Sequence, residues 1–123
     1  MSELQTALNG LVQAVDAPRL QGRALGNWRW TVRQRMASVR DGLALETALT
    51  SDGWLAARES SVLRDRNALM MRLSALGKGV LESPEVEQVR NEVKRLVTDI
   101  HHHHQKLHDL AYDAVEIELG GSE

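Results

Sequence analysis

The chain has no cysteine and no phenylalanine, and only two prolines. Without cysteine there can be no disulfide, no thiolate metal site and no thiol nucleophile. Without phenylalanine, and with Trp28, Trp30, Trp54 and Tyr112 as the only aromatic residues, the core must be aliphatic. Runs of β-branched and aromatic residues are also missing, which argues against strands and for an all-α domain. No apolar stretch approaches the roughly 18 residues that a membrane span requires. The N-terminus, Met1-Ser2-Glu3-Leu4-Gln5, has neither a basic stretch nor an apolar one of the kind that opens a secretory signal. The default expectation is a cytoplasmic protein without membrane contact.

What is present fits one helical domain. At 123 residues with 42% hydrophobic content, the chain can bury a core and is not of disordered composition. Net charge is −2, but it is unevenly spread. Residues 17–40 hold six arginines (Arg19, Arg23, Arg29, Arg33, Arg35, Arg40) and no acid, whereas residues 109–123 hold five acids (Asp109, Asp113, Glu116, Glu118, Glu123) and no base. Arginine supplies twelve of the fifteen basic residues, a usage that suits a GC-rich bacterial genome.

Apolar spacing divides the chain into four helical stretches. The first, over 1–16, carries Leu4, Leu8, Leu11 and Val15 at 4-3-4 spacing. Pro18 interrupts it, because proline inside a helix removes a hydrogen bond and clashes with the preceding turn. Asp16 is a natural N-cap for a second helix over 19–48, with Pro18 in its first turn. Leu25, Trp28, Val32, Met36, Val39 and Leu43 form the apolar face of that helix. A loop at Thr50-Ser51-Asp52-Gly53 precedes a third helix over 54–80, whose face reads Leu55, Val62, Leu69, Leu73, Leu76 and whose end Gly77 and Gly79 weaken. Ser83-Pro84-Glu85-Val86-Glu87 opens the last helix, with serine at the cap, proline at the first helical position and acids in the first turn.

That last helix, over 84–118, carries a heptad seam: Val86, Val89, Val93, Leu96, Ile100, His103, Leu107, Leu110, Ala114, Ile117. Its steps alternate three and four, as in a helix packed along a left-handed seam. Val97, His104 and Ala111 widen the face, so it should meet more than one helix. The expected fold is an antiparallel three-helix bundle with a short N-terminal helical extension, spanning 1–123 as a single domain.

Two clusters of residues carry the candidate sites. All five histidines fall at His101–His104 and His108. The heptad keeps phase from Ile100 to Leu107, so the run belongs to the native helix. His103 takes a core position and His102 the opposite side. His101, His104 and His108 share one stripe, and the i, i+4 spacing of His104 and His108 lets two imidazoles share a metal. Zinc, nickel or copper suits such ligands. No acid shares the stripe, so a further ligand would come from another helix, with Glu59 and Asp65 as candidates. The plain alternative is a histidine-rich solvated face with one tolerated core histidine. Imidazoles ordinarily take up a proton near pH 6.5. Five added charges would turn −2 into +3, and a charged His103 within the apolar seam would strain the bundle.

The second cluster is Gly26-Asn27-Trp28-Arg29-Trp30-Thr31-Val32-Arg33-Gln34-Arg35. Trp28 belongs to the core face, while Trp30 points outward, a turn from Arg33 and two from Arg23. Trp and Arg are over-represented at interface hot spots, so Trp30, Arg23 and Arg33 are the candidate interface. Such a group could also hold phosphates and stack a base, but a net acidic chain without a nucleic-acid motif argues against that. Two internal explanations compete: the first helix could cover Trp30, or the acidic C-terminal segment could neutralise the arginines.

His104-x-x-x-His108-x-x-x-x-Asp113 resembles a fragment of the hemerythrin-type di-iron pattern, but that family draws histidines from several helices and no other helix here has one. The paired Glu-x-x-His motifs of ferritin-like proteins are absent as well. Tyr112-x-x-x-Glu116 resembles the tail signal of the small helical-hairpin substrates of type VII secretion. Their Trp-x-Gly turn has no match, since Trp54-Leu55-Ala56 puts Ala where Gly belongs. There is no phosphate loop, nucleophile elbow or His-Glu-x-x-His motif. The expectation is a non-enzymatic interaction or assembly module, self-associating or bound to a protein partner, with no cofactor. The alternative is a metal-binding or metal- or pH-responsive bundle using the histidines.

Overall fold

The computed structural model describes residues 3–16, 22–49 and 56–120, with side chains over 3–16, 22–45 and 62–109. The described residues form four helices and no strand: α1 Glu3–Val15, α2 Gly22–Leu49, α3 Ala56–Glu82 and α4 Val86–Gly120. The fold is all-α.

Helix α1 shows why the spacing matters. Residues three or four apart share one helix face, so Leu4, Leu8, Leu11 and Val15 emerge together, and all four are fully buried. Burial of such side chains contributes on the order of 1.5–3 kcal/mol each before ordering costs. Asp16 extends α1, its amide donating to the Val12 carbonyl at 3.1 Å. Its carboxylate pairs with Lys94 of α4 at 2.7 Å. The expected helix start at 19–21, and with it the cap assigned to Asp16, lies outside the described residues, as does the start expected at Trp54 and Leu55. Helix α2 is described from Gly22, whose φ of +57° is the left-handed conformation that favours glycine.

The helices pack as a ring in which each touches two neighbours: α1 with α2, α2 with α3, α3 with α4, and α4 with α1, while the backbones of the diagonal pairs stay apart. Neighbours in sequence run antiparallel. Leu4 lies at Gly42, Gly10 at Arg35, and Val15 at Trp28. On the next seam Arg33 lies at Gly77 and Arg29 at Val80. On the third, Gly79 lies at Val89, Arg72 at Asp99 and Asp65 at Lys106. The core inside the ring is aliphatic apart from Trp28. It is built from the four α1 residues, Val32, Met36, Val39 and Leu43 of α2, Leu69, Leu73 and Val80 of α3, and Val93, Leu96 and Ile100 of α4.

The place of α1 differs from the expected three-helix bundle with an N-terminal extension. Helix α1 is a wall of the core, seated between α2 and α4. Small residues bring α1 close to α2: a Cβ added at Gly42 would lie 2.9 Å from the Leu4 Cα. Helix α3 also runs through Gly77 and Gly79 to Glu82 rather than ending near residue 80. Packing offsets the weak helix propensity there, since Arg33 covers Gly77 and Val89 meets Gly79. Helix α4 begins at Val86, two residues after the expected start at Pro84. Its first turn is closed by the Val89 amide donating to the Glu85 carbonyl at 3.0 Å, and Ser83 Oγ accepts from the Glu85 amide at 3.1 Å in the turn that precedes the helix.

Candidate functional site: an arginine and tryptophan face and a histidine segment

Adjacent turns of α2 separate its two tryptophans. Trp28 is buried, and its Nε1 donates to the Val15 carbonyl at 3.3 Å. That bond satisfies both the indole and a carbonyl at the end of α1. Two residues later the helix has turned by about 200°, and Trp30 is 65% exposed. Helix α1 thus covers Trp28, and Trp30 stays open.

The arginines of α2 divide between internal and outward positions. Arg29 reaches the end of α3, donating to the Val80 carbonyl at 3.0 Å and the Ser83 carbonyl at 2.7 Å. A cation at a helix C-terminus meets carbonyls without intrahelical partners and the negative end of the helix dipole. Arg33 is half-buried over Gly77, and Arg35 lies over Gly10. Arg23 and Arg40 are exposed, and Arg19 lies outside the described residues. The expected interface trio therefore splits: Trp30 and Arg23 face outward, whereas Arg33 lies partly against α3. Sequence reasoning missed the role of Arg29. No local signal marks it, because its partners are more than fifty residues away.

The α2–α3 pair has a further property that appears only when the two helices are set side by side. Residues 66–81 of α3 contain Arg66, Arg72 and Lys78 and no acid, and the antiparallel register lays much of this segment along the acid-free part of α2. A shallow cleft on this seam is lined by Arg33, Ala37, Arg40, Leu73 and Ser74 together with Asp41, the first acid of α2. Arg23, Arg40 and Lys78 are exposed and form no ion pair among the described residues. Leu81, 47% exposed, follows Val80, as Trp30 follows Arg29, so the Arg29–Val80 bond holds the two apolar side chains near one level. Met71, farther along α3, is 74% exposed.

The histidines of α4 distribute over its two flanks. His103 is 5% exposed, in line with a core position, and His102 is exposed. Both line a groove of about 310 Å³ between α3 and α4, together with Asp65, Ala68, Leu69, Arg72, Asp99 and Lys106. Two ion pairs bridge this groove, Arg72–Asp99 at 2.7 Å and Lys106–Asp65 at 3.4 Å. On the helical wheel the stripe of His101, His104 and His108 falls on the other flank, the side from which Lys94 reaches α1. His101 and His104 are half-buried and His108 is exposed. Asp65, a candidate further ligand, lies in the groove with His102 and His103 and is paired with Lys106. The Glu59 side chain lies outside the described residues. Among the described residues, no three His, Asp or Glu side chains gather closely enough to hold a metal ion.

Compared with protein-family models, curated proteins and solved structures, the chain matches none. Among the described residues no helix is long and apolar enough to cross a membrane.

Proposed function

We propose that the protein is a non-enzymatic helical interaction module that acts in the cytoplasm through self-association or a protein partner. The observation that supports this reading is the exposure of Trp30 on the acid-free N-terminal part of α2, beside the basic C-terminal part of α3. A large aromatic side chain left in water among guanidinium groups has the chemistry of an interface anchor. The heptad spacing of α4 suits coiled-coil-like packing in the bundle and in an assembly. Nucleic acid is a poorer fit, because the chain is net acidic and its basic residues are partly spent on internal contacts.

The test is a comparison of wild type with Trp30→Ala and with His104→Ala/His108→Ala, each with and without chelator. The reading predicts a complex, homo-oligomeric or with a partner, that Trp30→Ala weakens and chelator leaves unchanged. The alternative, a metal-binding or metal- or pH-responsive bundle using His101, His104 and His108 with zinc or nickel, predicts the reverse. Metal would bind stoichiometrically and be lost in the double histidine variant. The half-buried setting of His101 and His104 on one stripe supports this alternative. The scarcity of nearby acids weighs against it.

A further inference from the structure

We propose that the arginine-rich face of α2 and α3 binds the acidic end of α4 from a second copy of this chain, a proposal that rests on the interaction reading above. The face offers Arg23, Arg40 and Lys78 as exposed cations, with Trp30 and Leu81 as exposed apolar groups. Its complement is on the same sequence: residues 109–118 carry Asp109, Asp113, Glu116 and Glu118 and no base. The α4 backbone stays helical to Gly120, so these acids belong to a continuous helix.

Within one chain the Trp30 end of the face lies far from the acidic end of α4. Val80 takes the Arg29 bond, and Gly79 lies against Val89, so the α4 residues level with Trp30 are those near 90. Asp113 lies more than twenty residues further along α4, about 35 Å away at 1.5 Å per residue. At that separation Asp113 does not offset the charge around Trp30, and the acid-rich stretch of α4 is complementary in charge to this face on a second copy. Two copies laid antiparallel place each acidic end beside the other's basic end. Both contacts then form at once, which closes the assembly as a symmetric dimer and not an open fibre. Charge complementarity fixes partner and register, and Trp30 supplies the anchor.

A charge-swap experiment read by sedimentation equilibrium tests this. The face variant carries Arg23→Glu, Arg40→Glu and Lys78→Glu, and the end variant carries Asp109→Lys, Asp113→Lys and Glu116→Lys. Circular dichroism checks that each is folded, and Trp30→Ala provides a single-site variant of the same face. Wild type is expected to dimerise, with a dissociation constant that rises about tenfold or more between roughly 50 mM and 500 mM salt. Each swapped variant alone repels itself and sediments as a monomer, and Trp30→Ala weakens the dimer by about tenfold or more. An equimolar mixture of the two swapped variants restores the dimer, because every contact is again between opposite charges.

A mixture that stays monomeric overturns the proposal, as does a wild-type oligomer indifferent to both swaps, although that second outcome leaves the broader interaction reading standing. A wild-type monomer that binds phosphatidylserine vesicles or single-stranded RNA through the face also overturns it, in favour of an anionic surface of another kind. A metal-loaded monomer with no association overturns both this proposal and the reading beneath it.

Discussion

The guanidinium of Arg29 donates to the Ser83 carbonyl at 2.7 Å, tying the start of α2 to the turn between α3 and α4. Its second bond, to Val80, takes a carbonyl in the last turn of α3. One side chain thus joins α2 to the last turn of α3 and to the turn that leads into α4. Hydrogen bonds from a charged donor contribute about 1.5–3 kcal/mol, and partial exposure puts this pair toward the lower end. Arg29→Met, which keeps much of the aliphatic stem, should lower stability by about 2 kcal/mol in urea unfolding. Arg29→Lys, unable to fork to both carbonyls, should recover only part of the loss.

Helix α1 as a wall of the core leads to a second prediction. Leu8 is fully buried, so Leu8→Ala should cost about 2–5 kcal/mol in the same unfolding measurement. A peripheral extension would lose far less. The variant should also unfold in one transition, since α1 packs on both α2 and α4.

Two glycines within α2 should respond in opposite directions to the same change. A Cβ at Gly42 would lie 2.9 Å from the Leu4 Cα, a backbone atom that cannot swing aside, whereas a Cβ at Gly26 meets nothing within 4 Å. Gly26→Ala should therefore stabilise the protein by about 0.5–1 kcal/mol through helix propensity. Gly42→Ala should destabilise it by about 1–3 kcal/mol through forced separation of α1 and α2, less the propensity gain. Thermal unfolding of the two single variants against wild type decides this.

The two ion pairs across the histidine groove should matter little to stability. Arg72–Asp99 and Lys106–Asp65 have side chains about 40–50% exposed, and pairs this open to solvent contribute roughly 0–1 kcal/mol. Asp65→Asn should change the unfolding free energy by less than about 1 kcal/mol. A loss of several kcal/mol would show that the groove is a closed electrostatic network.

Much of the fold was legible in the sequence because it rests on local periodicity. The 4-3-4 spacing in α1 appears as expected, as do the burial of Trp28 and His103 and the outward aim of Trp30, whereas α4 starts at Val86, two residues past the Ser83-Pro84 signal. Features that depend on register between distant segments were not legible. The seat of α1 between α2 and α4 depends on the close approach at Gly42, and the tie from Arg29 to Ser83 depends on where α3 ends. The basic face combines two stretches some forty residues apart, each unremarkable alone. Helix α3 passes Gly77 and Gly79 because Arg33 and Val89 pack there, which local propensity does not report. Within the candidate site, helical periodicity alone separates His102 from the stripe of His101, His104 and His108, but it could not show that Arg33 lies partly against α3.

The most direct test of the interaction reading is native mass spectrometry of untagged protein purified without a metal-affinity step. The reading predicts a metal-free dimer, a higher oligomer or a complex with a protein partner. A monomer carrying a whole number of metal ions per chain would contradict it and make the histidine stripe of α4 the functional centre.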